Sequence, residues 1–585
     1  MINTRPPETW TVLDTHFGSG LGLQRTLRQR EVGGQTGLLH YVGICATPSG
    51  CRPDIPAQEP YDPIHAELGQ ALTAVTPGFQ RILLAGGRIR LTLCVGPLQS
   101  MLAEQSFQAD EIFASPEPGL WDKWVTQLLT RRCRRGTVLR VCNPSEAEAP
   151  GFDFSGSLTA LGFRWQSPAV AMYNPSWELR ATRARRPTPC TPIGRCAVVG
   201  AGLAGAAVAH SMVQRGWQVT VLDSHTHPAG GASGLPVGLV VPHVSVDDSP
   251  RSRLSRVGAS LMLQHAQSLL RKGEDWEASG ALEVGRDAQW CLQSCAPLQA
   301  AGWIAPGELQ STQAPWARGV DCNHSLWHGR AAWIKPAKLV QAWLSAPGIQ
   351  WLGGHQVQRL EHAAGVWSLY GTNSGCLAQA EVVVLANAAG AIELLNDLQV
   401  PLPDALMRQL GMVQKLHGTV SHGSIARSHR AQLPPFPVNG GGSLVTVSDG
   451  DVEHWFTGAS YESHVSALQD VPGQHAHNLD RLHRLLPAAG RALAEAFHSG
   501  AAQAWTGTRC VSHDRLPWAG PVDVDGRSGL WVSAAMGSRG LSFAALCAEL
   551  VAAQLGGEPF PIEARLARCL SPERAAHRKT NAVHR

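Results

Sequence analysis

The sequence has no Cys-x-x-Cys pair among its 14 cysteines, no run of 18 apolar residues and no large excess of either charge. Each absence removes a class of protein. The closest cysteine spacings, Cys45/Cys51, Cys190/Cys196 and Cys291/Cys295, do not repeat as metal-ligand sets, so no metal is expected and the thiols read as reduced and structural. The missing apolar run excludes a membrane-spanning helix. The opening MINTRPPETW has no apolar signal-peptide core, and a soluble cytoplasmic protein is expected. A formal net charge of +4 over 585 residues does not by itself announce a nucleic-acid partner. Basic residues do cluster locally, as RRCRRG at 131–136 and RATRARRP at 180–187.

What is present is organised around Arg195 to Asp223, which reads as strand, glycine turn, helix, strand, acid. An apolar run through Val199 leads into Gly200-x-Gly202-x-x-Gly205, and Asp223 closes the second strand 18 residues after Gly205. Gly200 permits the tight turn, Gly202 lets a pyrophosphate approach the backbone, and Gly205 lets helix and sheet pack closely. The phosphates then meet free N–H groups at the positive end of the helix. Asp223 is placed to accept from an adenosine ribose and would repel a 2′-phosphate, which favours NAD or FAD. With 61 glycines in the chain, the spacing alone would carry little; the strand, helix and acid around it carry the reading.

The length predicts two to four domains. Residues 1–180 read as a separate α/β unit, with strands at Trp10–Leu13, Leu38–Val42, Arg88–Cys94, Asp110–Phe113 and Thr137–Val141 and helices at Leu68–Leu72 and Trp121–Leu129. This alternation fits a parallel sheet. Its first strand ends at Asp14 and runs into Phe17-Gly18-Ser-Gly20-Leu-Gly22. Acid, glycine turn and helix would suit a nucleoside cofactor such as S-adenosylmethionine through Asp14, Gly18 and Gly20; a strand–turn–helix without a ligand is equally open. The arginines at 131–135 follow a helix, where they either meet its negative end or contact RNA phosphate. The Arg- and Pro-rich stretch 181–194 reads as a linker.

The remainder, 195–585, completes the dinucleotide unit. A small-residue loop holds Gly231-Ala232-Ser233-Gly234, AEVVVLA (380–386) is a buried strand running to Gly390, and Leu530–Ala535 leads into Gly537-Ser538-Arg539-Gly540-Leu541 and a final helix. Alternating strands from Pro401, at Met412–Leu416, Gly442–Val447 and His454–Ala459, predict an antiparallel substrate subdomain at about 401–505.

Together GAGLAG, GASG, the segment Gly507-x-Arg509…Asp514-x-x-Pro517-x-x-Gly520 and GSRGL resemble the D-amino-acid oxidase or glycine oxidase flavoprotein family, which implies FAD. More narrowly, FGSGLG (17–22), GFQRILLAGGRIRL (78–91), AAWIKPAKL (331–339), FTGASY (456–461), RCVSHDRLPWAG (509–520) and AAMGSRGLSFAALCAELVAAQL (534–555) are similar to the MnmC-type family of bifunctional tRNA-modifying proteins. There an S-adenosylmethionine methyltransferase is fused to an FAD oxidoreductase. The resemblance implies a tRNA anticodon stem-loop as partner. It also implies oxidative removal of the carboxymethyl group from carboxymethylaminomethyl uridine at the wobble position, followed by methylation. FAD would be held by Gly200, Gly202, Gly205, Asp223, Ala232, Ser233, Gly390, Gly537, Ser538, Gly540 and Leu541. A substrate carboxylate calls for a guanidinium: Arg509 first, Arg539 second. Arg509 could instead pair with Asp514, and Arg539 could brace its loop. His243 and His513 stand near the expected site but read as structural, and Lys335 receives no role. The N-terminal half departs from the family: only Met1 to His16 precede its glycine turn, the acid expected after the second strand is replaced near Cys45, and FASPEPGLWD lacks the family loop's aspartate and asparagine. Impaired methyl transfer is expected. The alternative is an FAD oxidase of free glycine- or sarcosine-like amines, with a non-catalytic flavin-binding module as the third reading.

Overall fold

The computed structural model describes residues 9–51, 63–117, 119–142, 153–178, 191–285, 295–307, 314–320, 324–372, 375–398, 402–463, 470–523 and 528–574. Most of the linker stretch, residues 181–190, lies outside them, as do Cys190 and Cys291. The chain folds as two compact units: Met1–Ile193 with Gln214–Trp217 and Glu549–Arg568, and Gly194–Val213 with Gln218–Ala548 and Cys569–Arg585.

The first unit is an eight-stranded sheet in the order Gly78–Leu84, Ile89–Val95, Leu39–Cys45, Trp10–Asp14, Ala109–Ala114, Cys133–Val141, Val170–Tyr173, Phe163–Ser167. The five strands from Ile89–Val95 to Cys133–Val141 pair in parallel. Alternate residues of one strand serve opposite cores: Val12 and Tyr41 pack on one side, Leu13 and Val42 on the other, as a sheet covered on both faces requires. The edges differ from the parallel expectation. Gly78–Leu84 pairs antiparallel through the Ala85–Gly87 turn, and Val170–Tyr173 is antiparallel to both neighbours. A tight glycine turn joins the first of these pairs, and such a turn permits only the antiparallel pairing. Cys45 and Cys51 form a disulfide, which corrects the reading of all thiols as reduced. Within this unit Arg215 forks onto both Glu549 (3.0 and 3.1 Å) and Glu558 (2.8 and 2.9 Å). Burial pushes the Glu549 carboxyl up, and the facing guanidinium of Arg215 overrides it, holding the group well below the usual range.

The second unit has a six-stranded sheet in the order Ile349–Gly353, Gln218–Asp223, Arg195–Val199, Val382–Leu385, Leu530–Ala534, Trp518–Pro521, parallel except for the last pair. Strand order reverses beside Arg195–Val199, the position at which open α/β sheets form a ligand crevice. The helix Leu203–Val213 follows; its small side chains are buried from Leu203 to Met212, so helix and sheet lie close. A second, eight-stranded sheet takes in Gln414–Ala426, Ser443–Asp449 and Val452–Gly458, and also strands as distant in sequence as Ala281–Val284, Ser325–His328 and Gln503–Val511. Gln414–Ala426 runs for 13 residues, well past the expected Met412–Leu416. Its buried face is polar: Asn478 Nδ2 donates to the Thr419 carbonyl and to Ser421 Oγ, both at 3.0 Å. Polar residues on that face, several of them hydrogen-bonded, give it no apolar alternation. No helix among the described residues is long and apolar enough to cross a membrane.

Candidate active site

In the second unit the three glycines of the turn stand at crowded positions. Gly200 has φ of 106°, and a Cβ there would lie 2.8 Å from the Ala386 backbone. A Cβ at Gly202 would lie 2.8 Å from Ser233 Oγ, and one at Gly205 only 1.8 Å from the Gly200 carbonyl oxygen. Ser233 Oγ accepts from Leu203 N (2.9 Å), joining the GASG loop to the helix start. Asp223 accepts from Ala201 N (2.6 Å) and from His225 N (2.9 Å). Its Oδ1 also lies 2.8 Å from His225 Nδ1, and these three contacts still leave the carboxylate with further acceptor capacity. Ala388 and Ala535, just past two of the strand ends, hold left-handed backbone at φ of 54° and 57°, the sort of strain that collects at ligand sites.

One cavity of about 730 Å³ gathers Gly200, Gly202, Asp223, Ala232, Ser233, Gly390, Gly537, Ser538, Gly540, Leu541 and Arg509. Gly205 sits behind it, under the helix. The second glycine turn is tied to the strand that carries Arg509, because Gly537 N donates to the Cys510 carbonyl at 2.9 Å. Sequence reasoning missed two neighbours. Thr508 lines the cavity, and the Tyr461 ring lies 4.7 Å from Arg509 Cζ; Tyr461 ends the stretch FTGASY but nothing in its spacing marks it.

Arg509 Nη1 is buried and has no hydrogen-bond partner among the described residues. The ion pair with Asp514 that its position allowed does not form. Asp514 is instead forked by Arg574 at 2.7 and 2.8 Å and also accepts from Ser512 Oγ and Leu516 N. Arg539 is not among the residues lining the cavity; its Nη1 donates to the Val241 carbonyl at 3.2 Å. His243 lies against Arg251 (3.2 Å) and His513 is exposed, and neither lines the cavity. Lys335 precedes the helix Pro336–Leu344, and its backbone N–H donates to Asp275.

The family described as FAD dependent oxidoreductase, DAO, matches residues 195–554. Over 618 aligned residues the chain is 41% identical to the tRNA 5-methylaminomethyl-2-thiouridine biosynthesis bifunctional protein MnmC of Albidiferax ferrireducens, covering 99% of this chain and 95% of that one. The protein of the same name from Polaromonas naphthalenivorans is 39% identical, with 97% and 90% covered. The chain belongs to the MnmC family. Its second unit is an FAD-dependent oxidoreductase, and FAD suits the cavity: Gly200 and Gly202 on its wall stand where a Cβ would collide, and an unpartnered guanidinium atom is on the wall.

The first unit is the α/β part that the MnmC family joins to this oxidoreductase. Its glycine turn also sits where strand order reverses, with Gly18 and Gly20 at φ of 50° and 81°. The acid there is engaged internally. Asp14 is buried and accepts from Tyr41 Oη (2.6 Å) and His16 N (3.0 Å), and burial pushes its carboxyl up despite those bonds. A Cβ at Gly22 would lie 2.5 Å from both Asp14 Oδ2 and Tyr41 Oη. Three arginines of the cluster bond within the unit: buried Arg132 donates to the Gln105 carbonyl, exposed Arg134 pairs with Asp110, and exposed Arg135 donates to the Pro175 (2.6 Å) and Trp177 (2.7 Å) carbonyls. These partners favour the structural role over a phosphate contact.

Proposed function

We propose that this chain removes the carboxymethyl group from carboxymethylaminomethyl-(2-thio)uridine at the wobble position of tRNA, leaving the aminomethyl nucleoside. The observation that carries the reading is Arg509, whose buried Nη1 is unpartnered on the cavity wall while Asp514 is held by Arg574. An arginine fork pairs with both oxygens of a carboxylate, and in a water-poor cavity that pair fixes the direction of the attached carbon. In this reading Gly200 and Gly202 admit the pyrophosphate, Asp223 accepts from the ribose, and Ala232, Ser233, Gly390 and the turn from Gly537 to Leu541 enclose the rest of the dinucleotide. Gly205 keeps the helix against the sheet, and Arg539 holds its loop through Val241.

FAD, when bound by these residues, would supply the oxidant, a hydride acceptor for the carbon between nitrogen and carboxylate. As that C–H bond breaks, the nitrogen lone pair forms the C=N bond and the amine proton is lost. Water then adds to the carbon and the C–N bond cleaves, giving glyoxylate and the aminomethyl uridine. Arg509 holds the carboxylate throughout. A free amino acid oxidised at the same carbon would use the same arginine, so the two substrates are separated by experiment.

In the first unit we infer that methyl transfer is impaired: the acid that would seat a nucleoside ribose is replaced near Cys45, and Asp14 is bound to Tyr41. FAD-loaded protein incubated with tRNA bearing carboxymethylaminomethyl uridine, with and without S-adenosylmethionine, tests both claims by nucleoside mass spectrometry. Aminomethyl uridine is expected in both arms. Unchanged tRNA with rapid oxidation of free sarcosine would overturn the first claim, and abundant methylaminomethyl uridine the second.

A further inference from the structure

Beside Arg509 the large sheet carries two glycines that leave room for neighbouring groups. Gly418 and Gly507 pair across adjacent strands, two register positions from the Leu416–Arg509 pair. Neither position tolerates a Cβ: at Gly418 it would lie 2.7 Å from the Ser460 carbonyl oxygen, and at Gly507 2.4 Å from the Trp505 ring. Tyr461, next to Ser460, has its ring centroid 4.7 Å from Arg509 Cζ and is 54% exposed. An exposed aromatic is by itself ordinary. Tyr461 differs in being fixed against the cavity arginine while its ring stays open to solvent.

We propose that Tyr461 is the stacking platform for the pyrimidine base that carries the reacting side chain, so that it selects a nucleoside-borne amine over a free amino acid; this rests on the reading of Arg509 as the carboxylate anchor. Four single bonds, about 5 Å in extended form, separate the carboxylate carbon from C5 of the uracil. A carboxylate on Arg509 therefore leaves the base within reach of a ring 4.7 Å from that guanidinium. Unpaired bases of an RNA loop are commonly taken up by stacking on aromatic side chains. The phenyl face, not the hydroxyl, makes this contact. A free amino acid has no base to stack and gains nothing from Tyr461 beyond its support of Arg509.

The test uses the full-length FAD-loaded protein and two variants, Tyr461→Ala and Tyr461→Phe. The readouts are kcat/KM on tRNA bearing carboxymethylaminomethyl uridine and the affinity for N-methylglycine, read from flavin absorbance. Tyr461→Ala is expected to lower kcat/KM on tRNA by about 5- to 100-fold, the range that base–aromatic stacking spans, with a much smaller change for N-methylglycine. Tyr461→Phe restores turnover to near wild type. An equal loss for both ligands would reduce Tyr461 to a brace for Arg509 and overturn the proposal, as would no loss for either. Wild-type protein that binds N-methylglycine but does not oxidise the tRNA would mark failure of the underlying functional reading instead.

Discussion

Two glycine turns in this chain share a local signature, strand to glycines to helix, yet differ in what surrounds them. At Gly200 the crowding comes from backbone crossing close by, the neighbouring polar groups face a cavity of about 730 Å³, and Asp223 keeps acceptor capacity. At Gly18 the acid preceding the turn is buried and committed to Tyr41 and His16. The lesson is that a glycine turn marks where a backbone can be approached. Whether a ligand is held there depends on which polar groups around it remain unsatisfied.

The sharpest way to break the comparison is to fill the better cradle. Gly205→Val places side-chain atoms where a Cβ alone would already be 1.8 Å from the Gly200 carbonyl oxygen, forcing the helix off the turn. Overpacking of this kind costs about 1–3 kcal/mol or more, here concentrated on the proposed pyrophosphate site. The purified variant is expected to lose essentially all bound flavin, read as absorbance per chain. Retained stoichiometric FAD would show that the dinucleotide lies elsewhere.

A smaller effect is expected from Arg509→Ala, which leaves the glycine cradle intact. Losing two charge-assisted hydrogen bonds, each about 1.5–3 kcal/mol, predicts a fall in kcat/KM of about 100-fold or more. Flavin content should stay at the wild-type level. A variant that loses flavin and activity together would place Arg509 in cofactor binding rather than on the substrate carboxylate.

Much of this contrast was legible in the sequence, because the features that build the dinucleotide cradle are local. Strand, turn, helix and acid lie within Arg195 to Asp223, and the later glycine turn repeats the pattern. What stayed hidden depends on distant partners. The pairing of Asp514 with Arg574, 60 residues on, frees Arg509 and has no local signature. The strand Gln414–Ala426 outruns its sequence signal because polar residues such as Thr419 and Ser421, facing Asn478, stand on its buried face instead of apolar ones. The antiparallel edge Gly78–Leu84 lies in a stretch that matches the family without announcing itself as a strand. Tyr461 acquires its position only when the segment that follows the strand Val452–Gly458 is brought against the strand of Arg509.

The Asp514–Arg574 pair gives the smallest effect and the most specific one. Burial pushes the Asp514 carboxyl up, and the hydrogen bonds and charge of Arg574 outweigh it, so the folded-state pKa lies below the usual 3.8. A depressed carboxyl contributes stability that is fully present above its unfolded pKa and disappears as pH falls through the folded value. Arg574→Gln removes the charge that does this. The variant should therefore be less stable than wild type near neutral pH, by a few degrees in Tm because Asp514 is partly exposed and screened, and its deficit should close as pH falls below about 4. Thermal unfolding followed by tryptophan fluorescence between neutral pH and about pH 3.5 checks the sign. A deficit that does not change with pH would mean that Arg574 acts through its bonds to the Leu516 and Pro517 carbonyls and that Asp514 does not need it to remain charged, which would reopen Arg509 as its partner.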